Sequence, residues 1–385
     1  MGKWVKKKLG EIGDIITGST PTTSKLDYWN GDYNFYSPAD FTDNIYCDKT
    51  ERTVTIEGLN VGRCIPENSI MVACIASIGK IAINKTKGIT NQQINSIIPF
   101  DEFNYLFLYY LLLHKSYAIK NGAAQTTIPI INKEDFSNLE VTIPSSLSEQ
   151  RRIASILLSA DKVIDSTKKL IAKYKSIKQG MMEDLLKPKE GWKKVKLGEC
   201  CEINPKTDTS KVLDDDIIVF VKMEDVSNDG FITSFNEKTY QSLQKKGFTV
   251  FQNDDVIFAK ITPCMENGKG ALVRGFDTKI CMGSTEFHVI RACENISIDF
   301  IYQLTISKQF RLKAEMQMTG SAGQQRVPIS FLEDYLFYIP DFSDQCRIAS
   351  ILSSIDKKIE TEEKVLEKYK NIKKGLMEKL LKEEE

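Results

Sequence analysis

One feature limits what this chain can fold into more than any other: it repeats itself. Trp4-Val-Lys-Lys-Lys-Leu9-Gly10-Glu11 returns 188 residues later as Trp192-Lys-Lys-Val-Lys-Leu197-Gly198-Glu199. Gln150-Arg-Arg-Ile153-Ala154-Ser155-Ile156-Leu157 returns 195 residues later as Gln345-Cys-Arg-Ile348-Ala349-Ser350-Ile351-Leu352. The second match continues for more than thirty residues, carrying Asp161 onto Asp356, Tyr174 onto Tyr369 and Gly180 onto Gly375. Between these anchors the copies diverge, yet Gly79-Lys80 answers Gly268-Lys269 and Asn121–Pro129 answers Thr319–Pro328. The implied order is a variable domain (1–148), a constant helix (149–191), a second variable domain (192–341) and a second constant helix (342–385).

The constant segments are amphipathic. Ile153, Ile156, Ala160, Val163, Thr167, Leu170, Tyr174, Ile177 and Met181 recur in steps of three and four, with Leu157, Ile164, Ile171 and Leu185 widening the stripe. The second copy offers Ile348, Ile351, Ile355, Ile359, Tyr369, Ile372 and Leu376. Such a seam, sustained for about five heptads, suits two helices zipped into a coiled coil. The alternative is two amphipathic helices lying separately on their own domains. A helix over 149–187 is about 58 Å long, and only Pro188 to Gly191 then separates it from the second domain. The second helix therefore starts near the end of the first, which favours antiparallel pairing within the chain and a pseudo-two-fold tandem repeat. Such a rod can hold two modules at the 34–36 Å, or about one helical turn, that separates half-sites on one face of DNA.

The variable domains read as mixed α/β. Short alternating strands such as Ser69–Ala76 and Asp255–Ala259 precede helices Tyr105–Lys120 and Asp299–Met316, a Gly-rich loop, a short helix and a strand ending in proline. Trp29 is expected in the core, and Trp4 and Trp192 as packing anchors where the domains begin. No apolar stretch is long enough to span a bilayer, and the lysine-rich start lacks a secretion signal's apolar core, so the cytoplasm is the expected location and no membrane partner is expected. Nine scattered cysteines without a C-x-x-C pair, and only two histidines, read as reduced thiols with no metal site.

Formal net charge is zero. Residues 1–148 carry 14 basic and 15 acidic side chains, and residues 192–341 carry 18 and 21. A nucleic-acid reader with that balance makes few phosphate contacts, so its isolated chain is expected to bind DNA weakly. Base edges are read by Arg, Lys, Asn and Gln, assisted by Ser and Thr. Loops rich in these give Thr20, Lys25, Tyr28, Gln92, Gln93, Gln125, Thr126 and Thr127 in the first domain. In the second they give Lys222, Lys260, Thr262, Ser284, Thr285, Gln324, Gln325 and Arg326. Each of these is equally well a turn former or an ordinary surface polar group.

Several marks in order resemble the specificity subunits of type I restriction-modification systems, over essentially the whole chain. They are Gly18-Ser-Thr20-Pro21 with Tyr28-Trp29-Asn30-Gly31, then Glu149-Gln150-Arg151-Arg152-Ile153-Ala154, then Ala259-Lys260-Ile261-Thr262-Pro263 with Asn267-Gly268-Lys269. The resemblance implies that each variable domain reads one half of a bipartite double-stranded DNA target and that two methylation subunits dock on the chain. It leaves room for restriction subunits. It places S-adenosylmethionine, ATP and Mg on those partners and no cofactor here. In the second copy Cys346-Arg347 replaces the arginine pair, so the two docking surfaces need not be equal.

An enzyme reading finds little to build on. An Asn- or Asp-Pro-Pro-aromatic loop for a flipped adenine is missing, as is a phosphate loop ending in Gly-Lys-Ser/Thr. Glu362 and Lys364 lie on the heptad helix and read as a solvated face. Two alternatives to a DNA reader stay open: a coiled-coil scaffold joining two protein partners, and a divergent enzyme with a site assembled between domains.

Overall fold

The computed structural model describes residues 3–74, 80–122, 132–244, 246–321 and 323–382. It divides into two compact units, residues 1–168 with 364–385, and residues 169–363.

The first unit runs β1 (Trp4–Lys8), β2 (Gly13–Thr17), β3 (Trp29–Tyr36), β4 (Tyr46–Cys47), β5 (Arg52–Val54), α1 (Ile56–Val61), β6 (Cys64–Ile65), β7 (Ile70–Ala73), β8 (Ile81–Asn84), β9 (Gly88–Thr90), β10 (Ile94–Pro99), α2 (Tyr105–Gly122), α3 (Lys133–Asn138), β11 (Glu140–Pro144) and then the long α4 (Leu147–Leu185), whose residues from Lys169 onward belong to the second unit. The second runs β12 (Lys193–Lys196), α5 (Leu197–Cys200), β13 (Cys201–Ile203), β14 (Ile217–Val221), β15 (Asn236–Thr239), α6 (Tyr240–Leu243), β16 (Thr249–Phe251), β17 (Asp255–Ala259), β18 (Gly270–Leu272), β19 (Cys281–Gly283), β20 (Phe287–Ala292), α7 (Ile298–Ile306), α8 (Lys308–Met316), α9 (Ile329–Asp334), β21 (Leu336–Ile339) and α10 (Phe342–Leu380), whose residues from Lys364 onward belong to the first unit.

One connectivity serves both. A two-stranded ribbon, β1 with β11 or β12 with β21, ties the start of each domain to the strand that precedes its long helix. One sheet has the order β2-β10-β7-β8-β4, and its counterpart the order β13-β20-β17-β18. The other has the order β5-β3-β9-β6, and its counterpart β15-β14-β19-β16, with parallel pairing at β3–β9 and at β14–β19. The central strands β7 and β17 are buried on both faces, which is why each is almost continuously apolar. The near-uniformly apolar start of α2, through Phe107, Leu108, Tyr110 and Leu111, is likewise buried all round.

The single helix expected at 299–316 is two. Ser307 adopts an extended conformation (φ −66°, ψ 145°), and its hydroxyl accepts from Phe310 N at 3.3 Å, so it ends α7 and caps α8 at once.

In the long helices the buried stripe is turned from the one the apolar spacing suggests. Val163 and Ile177 are 40% exposed and Ile372 is 44% exposed, while Ile156, Ala160, Leu170 and Tyr174 are only half-buried. The stripe in α4 instead follows Ile153, Leu157, Ile164 and Ile171, and in α10 it follows Ile348, Leu352 and Ile359. Ile351, Ile355, Tyr369 and Leu376 flank it, half-buried. The cause is polar: the stripe passes through Asp161, Lys178, Asp356 and Lys373, which a search for apolar residues steps around.

Those four residues make two ion pairs. In the first unit Lys373 Nζ lies 2.6 Å from Asp161, whose second oxygen accepts from the Tyr110 hydroxyl at 2.8 Å. In the second, Lys178 Nζ lies 2.5 Å from Asp356, whose second oxygen accepts from Gln303 Nε2 at 2.9 Å. Around them Met377 and Leu381 share a core with Ile153 and Leu157, and Met182 shares one with Ile348 and Leu352. The repeated glutamine is a structural tie. Gln150 accepts from Asn104 N and donates to Pro144 O, and Gln345 accepts from Ser297 N and donates to Pro340 O. Each buried amide thereby locks the helix before it, and the strand end, to the root of the long helix.

Candidate nucleic-acid interface

The two units present their polar loops at matching chain positions. In the first, Asn91 N donates to Tyr36 O and Cys74 N to Gln93 O. In the second, Ser284 N donates to Val221 O and Lys260 N to Glu286 O. The register therefore sets Asn91 against Ser284, Gln92 against Thr285 and Gln93 against Glu286.

In the first unit Thr20, Gln92 and Gln93 meet along an open cleft of about 370 Å3 that Asn91 and Arg52 also line. The Thr20 hydroxyl donates to Gln92 Oε1 at 2.5 Å, and Asn91 bonds Gln93 through both its side-chain atoms. Gly18 holds the loop against this row, because a Cβ there would collide with the carbonyl oxygens of Thr90 and Asn91. Lys25 lies apart from that row, with its ammonium 4.3 Å above the Tyr28 ring and 3.1 Å from its hydroxyl, a bond that raises the lysine's pKa. Gln125, Thr126 and Thr127 lie outside the described residues.

In the second unit the structure gathers most of the sequence candidates. Gln325 N donates to the Thr262 hydroxyl at 2.8 Å, and that hydroxyl donates back to Gln325 O at 3.0 Å. Val327 N donates to Lys260 O, Arg326 exchanges two backbone bonds with Thr319, and Arg326 pairs with Glu286. Thr262 thus staples two loops together, and the Ser284 hydroxyl is occupied by Glu286 N. Lys222 follows Val221 on the same side, with its ammonium on Glu224. Thr285 and Gln324 are exposed.

Two buried bases brace this cluster. Arg311 donates to Thr305 O, Met265 O and Lys269 O, fixing the 265–269 turn; burial pulls its pKa down to about 9. His288 receives Asn204 Nδ2 on Nδ1 at 3.0 Å and lies 2.9 Å from Val327 O through Nε2, which defines the neutral ring with its proton on Nε2. Burial lowers its pKa accordingly.

Sequence reasoning missed Arg52, Asn91 and Glu286. Arg52 stacks 3.8 Å from the Trp29 ring; its signal was position, opposite Phe35 in the strand pair. Asn91 adjoins the candidate pair Gln92 and Gln93. Glu286 carries the wrong sign for a phosphate contact, so its residue type gives no signal.

The geometry is that of two loop clusters rich in hydrogen-bonding side chains, each set at the ends of sheet strands. The family model for the type I restriction modification DNA specificity domain matches residues 1–175 and again 189–371, and the chain belongs to that family. Among known proteins it is similar to the type I restriction enzyme EcoAI specificity subunit of Escherichia coli, 42% identical over 163 residues, 41% of this chain and 27% of that protein. The EcoEI specificity subunit of Escherichia coli is 36% identical over 172 residues, 43% of this chain and 28% of that protein. These alignments thus span little more than a quarter of either relative. The MjaVIII specificity subunit of Methanocaldococcus jannaschii is 25% identical over 98% of this chain and 92% of its own. A solved type I restriction-modification S subunit from M. genitalium shares the fold, with a TM-score of 0.58 at 16% identity over 100% of this chain and 97% of that one. Among the described residues no helix is long and apolar enough to cross a membrane.

Proposed function

We propose that this chain is the DNA-specificity subunit of a type I restriction-modification complex and carries out no catalysis itself. Domains 1–148 and 192–341 each read one half of a split duplex target, while segments 149–191 and 342–385 pair as an antiparallel coiled coil that sets the distance between the halves. The helices dock two methylation subunits, which bind S-adenosylmethionine; ATP and Mg belong to restriction subunits where these join. Such a complex works on cytoplasmic DNA.

One observation carries the reading: a single connectivity, used twice, offers hydrogen-bonding side chains at matching positions, Gln92 and Gln93 in one unit and Thr285 and Glu286, the latter paired with Arg326, in the other. Antiparallel pairing is supported by Lys373 with Asp161 and Lys178 with Asp356, each joining a late residue of one helix to an early residue of the other. The two pairs use residues equivalent under the 195-residue repeat, which supports a pseudo-two-fold arrangement.

Mapping methylated adenines in host DNA with and without this gene tests the reading. The expected result is one bipartite motif, with a fixed spacer, that disappears on deletion. An unchanged methylation map, or a complex that leaves no footprint on DNA, points instead to the protein scaffold.

A further inference from the structure

We propose that Arg326 reads a guanine in the half-site of the second domain and that Glu286 is the positioning residue that aims it. This rests on the DNA-reading function above and assigns it a base. Arg326 Nε donates to Glu286 Oε2 at 3.0 Å and Nη2 donates to Oε1 at 2.8 Å, so the carboxylate holds the side edge of the guanidinium. Nη1 gives one further N–H to Gln324 O at 3.2 Å. Of five donors, one on each terminal nitrogen is left, and the side chain is 43% exposed. Two such donors side by side suit O6 and N7 of guanine, two neighbouring acceptors; adenine offers a donor at the first position.

The aim is fixed before any ligand arrives. Arg326 is bonded through its backbone to Thr319 on both sides, at 2.8 and 2.9 Å, and its neighbours are tied to Thr262 and Lys260. A guanidinium held in this way loses little freedom on binding. Both oxygens of Glu286 accept from Arg326, which makes it a buttress. A bare carboxylate at a DNA surface repels phosphates, whereas this one is neutralised by the residue it orients. In the first domain Gln93 takes the position of Glu286, and the sequence match sets Thr127 against Arg326. Both charges are therefore replaced together, and the first half-site is read by different chemistry at this position.

The test uses the full-length chain purified with its methylation subunits and a randomised duplex library, with bound sequences read out. Wild type is expected to enrich guanine at one position that Arg326→Lys, which keeps the charge and loses the fork, relaxes by roughly 10- to 100-fold. Glu286→Gln is expected to relax the same position less, and the other half-site reports that both variants are folded. Guanine preference unchanged in Arg326→Lys, or equal weakening at every position as a merely structural bridge would give, overturns the assignment while leaving a DNA reader. A wild-type complex that enriches no sequence overturns the DNA-reading function as well.

Discussion

At the roots of the long helices the two units are nearly the same molecule; at their loops they are not. Asp161 and Asp356 each take a lysine from the other long helix and a neutral donor from the packed domain, Tyr110 in one case and Gln303 in the other. At the loops, a stacked Arg52 and a glutamine pair in one unit stand against an ion-paired Arg326 and a Thr262 staple in the other. Burial explains the contrast. A carboxylate out of water becomes a liability when either partner is removed, so the root tolerates few substitutions, whereas an exposed side chain can change at little cost to folding.

The largest expected effect follows at the roots. Lys178→Ala leaves Asp356, whose side chain is 7% exposed, facing Gln303 alone, and should cost about 3 kcal/mol. Lys373→Ala should cost less, because Asp161 is 19% exposed and water can reach it. Urea denaturation of both variants measures the difference, and the double variant Lys178→Ala/Asp356→Ala should recover part of the loss. Equal costs in the two units would show that exposure does not govern these pairs.

Gly18→Ala should come next, at about 2 kcal/mol, because the added Cβ meets the backbone oxygens of Thr90 and Asn91 rather than a side chain that can turn away. Since those residues carry the glutamine row, recognition of the first half-site should blur while the second stays sharp. Methylation mapping of the variant distinguishes this from general unfolding, which would remove both.

The mixed α/β class was legible in the short alternating strands and the helices that follow them, and the repeat showed that one order of elements is used twice. The turned stripe on α4 and α10 was not, since Lys178 and Asp161 count as polar in any periodicity and only their mutual contact with the other helix makes them interior. The α7–α8 break at Ser307 was hidden because a serine within a helical pattern reads equally well as an interior residue. The loop clusters were half visible. Residue type selected Gln324, Gln325 and Arg326, but Glu286 matters through a contact 40 residues away in sequence, and no local pattern reports such a partner.

The smallest effect separates the units by pH. Residues Asn95 and His288 hold the same strand position, opposite the residue that precedes Ala73 in one sheet and Ala259 in the other. Both are buried, at 2% and 3% exposure. Asn95 has no charge to gain. His288 does, and burial lowers its pKa from the ordinary 6.5. Above that value folded and unfolded chains are both neutral, and the contribution to stability is complete. As pH falls below it the unfolded chain takes the proton first, so stability declines and is lost once pH passes the folded value. Protonation would also place an N–H on Nδ1 against the Asn204 amide, which cannot turn away because its oxygen accepts from Val289 N at 2.8 Å. That repulsion should displace the ring, and with it the Val327 segment and the seat of Arg326, although the Nε2–H bond to Val327 O by itself favours the charged form. Hydrogen exchange of residues 319–328 should therefore quicken, after correction for intrinsic rates, as pH falls below the ordinary 6.5, while β10 of the first unit shows no comparable change. Equal acid sensitivity in both units would remove His288 as its cause.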